Sequence, residues 1–124
     1  MVVSMNFSQE EIKGILIKHV HLTRATKEHA DQCKKFLIKD IENDYVKMII
    51  DLEMCEFIDS TFISSLVTAL KTINQKGGLL KIVANHPEVQ SVLELTGMVK
   101  VFELYKTVKE AAESFNQPAK IALP

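Results

Sequence analysis

Tryptophan is absent from this 124-residue chain, and only two cysteines, four glycines and three prolines occur. Aromatic residues make up 6%, so core volume must come mainly from aliphatic side chains within the 47% of residues that are hydrophobic. Cys33 and Cys55 are far apart in sequence, in neither a Cys-x-x-Cys pair nor a zinc-ligand spacing. They read as packing thiols of a reducing compartment, and a domain of this length needs no staple. Neither sign of charge prevails: 15 Lys+Arg against 16 Asp+Glu leave a formal net charge of -1. That balance lacks the basic footprint of a nucleic-acid binder. No apolar run reaches the roughly 18 residues of a membrane helix, and the start, MVVSMNFSQEE, lacks a signal peptide's basic and apolar regions. The expectation is a soluble cytoplasmic domain over 1–116 with a loose tail over 117–124, no membrane insertion and no direct nucleic-acid contact.

Residues 5–7 are expected as a first short strand, with Ser8, Gln9, Glu10 and Glu11 as a polar turn. A second strand over 14–22 follows, though Ile15, Leu16 and Ile17 are consecutive and leave its inward face open. Thr26 is placed to cap a helix over 27–41, with Ala30, Cys33, Phe36, Leu37 and Ile41 inward and Lys27, Asp31, Lys34 and Lys35 outward. After a turn at 42–44, residues 46–52 read as a strand buried on much of both faces. A similar strand over 79–84 closes a strand–helix–strand unit, which implies a right-handed parallel crossover. Pro87 opens a third helix with Val89, Val92, Leu93 and Leu95 as its apolar stripe and Gly97 as its stop. A strand within 101–105 and a final helix, with capping-box spacing from Thr107 to Glu110, complete the chain. The fold class is α/β: a small mixed sheet of four to five strands, with helices packed mainly on one face.

The stretch 55–78, CEFIDSTFISSLVTALKTINQKGG, organises the rest. A helical wheel puts Phe62, Ile63, Leu66, Val67, Ala69, Leu70 and Ile73 on one side. Ser60, Thr61, Ser64, Ser65, Thr68, Lys71, Thr72 and Gln75 fall on the other, giving an outer face of six hydroxyls and one charge. Exposed helices normally carry Glu and Lys there, and Ser and Thr are mediocre helix formers. Local capping accounts for Asp59-Ser60-Thr61 as well as function does. The functional reading is a low-charge docking surface with a phosphorylatable hydroxyl, Ser60, at its corner. Competing chemistry is thin. His19-x-His21 lacks a third metal ligand, no Gly-x-Ser-x-Gly elbow or neighbouring histidine activates Ser60, and Gly77-Gly78 reads as a helix stop rather than a phosphate cradle. No metal, no cofactor and no enzymatic activity are expected.

Asp59-Ser60-Thr61 after Phe57-Ile58, the amphipathic helix, Gly77-Gly78 with its strand, and Leu93-Glu94-Leu95-Thr96-Gly97 together resemble the STAS domain of bacterial anti-sigma-factor antagonists. The resemblance covers 46–112 well and the first 45 residues weakly. It implies a partner-switching protein whose Ser60 is phosphorylated by an anti-sigma serine kinase and dephosphorylated by a PP2C-type phosphatase. Only the unphosphorylated form would bind the kinase. Asp59, Ser60 and Thr61, with Ser64, Thr68 and Lys71 along the helix, are the implied partner-binding residues. The family carries glycine where this chain has Phe62, and the wheel turns that ring toward the core. The alternative is a STAS subunit or scaffold docked constitutively on a transporter or stress-signalling assembly.

Overall fold

The computed structural model describes residues 6–116. The start of the expected first strand, Met5, and the expected tail, 117–124, lie outside them. In chain order the elements are β1 (Phe7–Ile12), β2 (Ile15–Val20), β3 (Arg24–Ala25), α1 (Lys27–Ile41), β4 (Lys47–Asp51), β5 (Phe57–Ile58), α2 (Ser60–Gln75), β6 (Leu79–Val83), α3 (Pro87–Leu95), a 3-10 turn (Met98–Lys100), β7 (Glu103–Tyr105) and α4 (Val108–Ser114). Five strands form one mixed sheet in the order β1-β2-β4-β6-β7. β1 is antiparallel to β2, and the remaining neighbours are parallel. β3 and β5 make a separate two-stranded parallel sheet.

The consecutive apolar residues of β2 are explained by cover on both faces of the sheet. Leu16, Met48, Ile50, Leu80 and Ile82 join the main core with α1, α2 and α3, while Ile15, Ile17, Ile49 and Val83 meet Ala111 of α4. Three helices thus share one core and the short α4 covers the opposite face. Each face also holds a buried lysine. Lys18 donates to Gln9 Oε1 (2.5 Å), to the Phe36 carbonyl (2.9 Å) and to the Asp40 carboxylate, with its Nζ 4.0 Å from the Phe36 ring centroid. Burial lowers its pKa, and the Asp40 carboxylate opposes that shift without cancelling it. On the α4 side Lys81 donates to Ser114 Oγ (2.6 Å) and lies 4.3 Å from the Phe115 ring. The aliphatic stems stay in the core while each ammonium has a partner. Cys33 and Cys55 are free thiols, fully buried, and burial pushes both pKa values up to about 12.

Several expectations are corrected. Ser8, Gln9, Glu10 and Glu11 form strand rather than turn, because the reversal falls at Lys13-Gly14, where both residues have positive φ (52° and 81°). An edge strand tolerates polar residues, and Gln9 and Glu10 find partners in Lys18 and His19 of β2. Leu95 does not belong to the apolar stripe of α3; it is 87% exposed, because two residues after Leu93 it stands on the opposite side of the helix. Thr26 has the extended backbone of an N-cap but makes no side-chain cap bond. Ser65, placed outward by the wheel, is buried.

The stop after α2 divides its work between two glycines. Gly77 takes φ +75°, and the Gly77 and Gly78 amides donate to the carbonyls of Asn74 (3.0 Å) and Ile73 (2.9 Å) in a Schellman arrangement. Gly78 is required for a different reason: a Cβ there would stand 2.4 Å from the Val46 carbonyl oxygen and 2.7 Å from Ile73 Cγ1. Gly78→Ala is expected to destabilise the domain by about 1–3 kcal/mol, read from the shift of the urea unfolding midpoint.

Histidine 19 bridges the antiparallel and parallel halves of the sheet. In the protonated ring Nε2 donates to Glu10 Oε2 on β1 (2.6 Å) and Nδ1 to Asp51 Oδ2 on β4 (2.7 Å). Burial alone would lower its pKa, but the two carboxylate hydrogen bonds outweigh burial and raise it above 6.5. The stability contributed by His19 is therefore complete below its ordinary value and is lost as pH rises through the elevated folded-state value. A wild-type melting temperature that falls across that window, with the fall flattened in His19→Gln, is the expected thermal-denaturation result.

Candidate functional site

Strand β5 delivers the chain to α2 through Asp59. The Asp59 amide donates to the Ala25 carbonyl (3.0 Å), which aligns the small β3–β5 sheet with the start of α2. Its two carboxylate oxygens serve different helices: Oδ1 accepts from the Phe62 amide of α2 (2.9 Å) and Oδ2 from the Lys27 amide of α1 (2.8 Å). Capping of α1 thus comes from Asp59, 32 residues away in sequence, and not from the adjacent Thr26 hydroxyl. A second tie lies one turn further along, where buried Ser65 Oγ donates to the Ala30 carbonyl of α1 (2.8 Å). This contact accounts for a serine that the wheel alone assigns to solvent.

With Asp59 engaged, Ser60 is the first side chain of α2 to stand free. It is exposed, and its Oγ has no hydrogen-bond partner among the described residues. Phe62 is fully buried in the main core, so the residue that replaces the family glycine presents nothing outward. Thr61, Ser64, Thr68 and Lys71 are all exposed along the same side of α2 as Ser60. Three hydroxyls of this face are turned inward: Ser64 donates to the Ser60 carbonyl (3.1 Å), Thr68 to Ser64 (3.0 Å) and Thr72 to Thr68 (2.8 Å). Each proton is used within the helix, which makes the surface less polar than composition suggests. Between α1 and α2 lies a shallow groove of about 250 Å³, lined by Ala30, Asp31, Lys34, Thr61, Ser64, Ser65 and Thr68.

Sequence reasoning missed the residues on the other flank. Arg24 pairs with Phe57 across the β3–β5 sheet, and its guanidinium carbon lies 4.4 Å from the Phe57 ring centroid. Two-residue strands carry no readable period, so nothing in the sequence marks this pair. His19 and His21 do point to one side, with rings 6.0 Å apart and nearly parallel, but Glu10, Asp51, Ser8 and Met54 occupy all four of their nitrogens. No group of three or more His, Cys, Asp or Glu among the described residues is placed to hold a metal ion. No helix of the described residues is long and apolar enough to cross a membrane.

Compared with known proteins, residues 9–111 match the STAS domain family. The chain belongs to that family, among the anti-sigma-factor antagonists. A Thermotoga maritima protein assigned to the anti-sigma factor antagonists is 33% identical over 87 residues, which span 69% of this chain and 77% of the relative. The anti-sigma F factor antagonist of Paenibacillus polymyxa is 25% identical over 105 residues, 83% of this chain and 88% of that one. In three dimensions, the crystal structure of a Thermotoga maritima protein of the same assignment matches this STAS domain with a TM-score of 0.81 at 26% identity, covering 90% of this chain and 95% of that one.

The geometry separates the structural from the available residue within the Asp59-Ser60 pair. Asp59→Ala removes the acceptor of two helix-start amides and should lower stability by about 2 kcal/mol. Ser60→Ala should change it by less than about 0.5 kcal/mol. Urea unfolding of the two variants beside wild type checks both values.

Proposed function

We propose that this STAS domain is an anti-sigma-factor antagonist that works by partner switching. In the unphosphorylated form the surface of Asp59, Ser60, Thr61, Ser64, Thr68 and Lys71 binds an anti-sigma serine kinase, which then releases its sigma factor. Transfer of the γ-phosphoryl group of ATP to Ser60 Oγ, with loss of the hydroxyl proton, ends that binding. A PP2C-type phosphatase restores the hydroxyl by hydrolysis.

The observation that carries this reading is the unengaged, exposed Ser60 hydroxyl at the first residue of a helix whose cap is already filled by Asp59. Phosphorylation there adds about 1.5 to 2 negative charges at the end of α2 that favours them. The fold has no reason to change, because Asp59 keeps both of its backbone partners and Phe62 stays in the core. What changes is the potential met by a partner. On a helix whose lone charged residue is Lys71, a phosphate reverses the sign of the surface. The alternative is a constitutively docked subunit, which Phe62 in place of the family glycine would suit if its ring faced a partner. Buried as it is, Phe62 favours neither reading.

Incubated with its cognate kinase and ATP, the wild-type protein should take up one phosphate that tandem mass spectrometry maps to Ser60, and Ser60→Ala should take up none. Undiminished labelling of Ser60→Ala would overturn the assignment. Ser60→Asp should bind the kinase more weakly than wild type, through opposing charge and the lost hydroxyl.

A further inference from the structure

We propose that Arg24, laid on the ring of Phe57, anchors an acidic segment of the protein partner that docks on the Ser60 face; this rests on the docking role assigned to that face above. The guanidinium is exposed, 4.4 Å over the ring, and has no carboxylate or other hydrogen-bond partner among the described residues. Exposed lysines such as Lys27, Lys71 and Lys100 also lack a carboxylate partner among the described residues, but Arg24 is the one arginine of the sequence and is held against a ring. Contact with the ring restricts the planar group while its N–H donors keep no partner among the described residues, so little freedom remains to be lost on binding. Arginine and aromatic residues held in this way are the types that dominate interface energetics.

Its position ties it to the switch. Arg24 immediately precedes Ala25, whose carbonyl receives the Asp59 amide, and Asp59 immediately precedes Ser60. The surrounding charge points the same way. α2 carries no acid at all and one base, Lys71, and its positive N-terminal end lies at Ser60. Lys27 is exposed at the start of α1, and Asp31 in the adjoining groove is paired with Lys35. Glu28 and Glu56 are the exposed acids near these segments in sequence, and neither forms an ion pair among the described residues. A fork of donors beside a helix N-terminus complements carboxylates, because guanidinium and carboxylate can pair through two parallel hydrogen bonds. The hydroxyl and methyl character of the remaining face suits a folded protein surface rather than a run of phosphates. On this assignment the sign of the switch follows: phosphate on Ser60 repels the acidic segment that Arg24 holds.

Isothermal titration of the chain with its cognate anti-sigma kinase, at about 50 and 300 mM salt, tests the anchor. Arg24→Ala should weaken binding about tenfold and flatten its salt dependence. Arg24→Lys, which keeps the charge but loses the fork, should weaken it less, and Lys100→Ala, on the 3-10 turn before β7, should match wild type. Circular dichroism melts confirm that each variant is folded. Binding by Arg24→Ala and Arg24→Glu equal to wild type, with Ser60 still phosphorylated, overturns the anchor and leaves the partner-switching reading intact. A wild-type chain that neither binds the kinase nor accepts phosphate overturns both. Arg24-dependent binding of a 20-nucleotide single-stranded DNA, tighter than that of the kinase, overturns the acidic-protein assignment in favour of nucleic acid.

Discussion

Two helix N-termini converge on one carboxylate, and the rest of the site depends on that meeting. Each helix start bears unsatisfied amides and a partial positive charge, so bringing α1 and α2 together at these ends is unfavourable without an anion between them. Asp59 supplies it, accepting from Lys27 with one oxygen and from Phe62 with the other. The same residue's amide is held by Ala25, which fixes the small β3–β5 sheet against both helices. Ser60 inherits its exposure from this arrangement, since the cap that a serine at a helix start would provide is already in place.

The sheet beneath makes that corner a firm platform. Lys18 ties β2 to the last turn of α1 through Asp40 and Phe36, and Ser65 ties α2 to Ala30 of α1, so the two helices are linked to each other and α1 to the sheet. Gly78 lets the chain after α2 pass against the Val46 carbonyl before β6 begins. On such a base a charge added at Ser60 has no loose element to reorganise. Its effect is directed outward, to whatever rests on α2 and on Arg24. The proposed recognition surface, with the hydroxyl protons of Ser64, Thr68 and Thr72 satisfied within the helix and an arginine held at its corner, suits binding that a single phosphate would cancel.

Long periodic segments were legible in the sequence: α1 and α2, the buried strands β4 and β6, the proline start of α3 and the Thr107 cap of α4 all appear where their patterns put them. The polar strand β1 was not, because an edge strand is held by backbone pairing and needs no apolar alternation. Leu95 and Ser65 went astray for different reasons: Leu95, two residues after Leu93, falls on the opposite side of α3, whereas the angle of Ser65 says nothing of the Ala30 carbonyl that α1 offers it. In the candidate site, Ser60 and the outward residues of α2 were readable from spacing. Arg24 and Phe57 were not, since they meet through a sheet of two-residue strands formed between distant segments.

By itself the sequence determined the α/β order of the elements, the amphipathic α2 with Asp59-Ser60-Thr61 at its head, and the resemblance to the STAS family, because these depend on local periodicity and on residues adjacent in the chain. Only the tertiary structure decided where the side chains of Asp59, Ser60 and Phe62 go. The carboxylate of Asp59 is committed to two helices, the ring of Phe62 lies in the core and the hydroxyl of Ser60 stands free. The physical reason is that an orphan amide takes the nearest well-placed acceptor in space; for α1 that acceptor is 32 residues away, a distance no local pattern records.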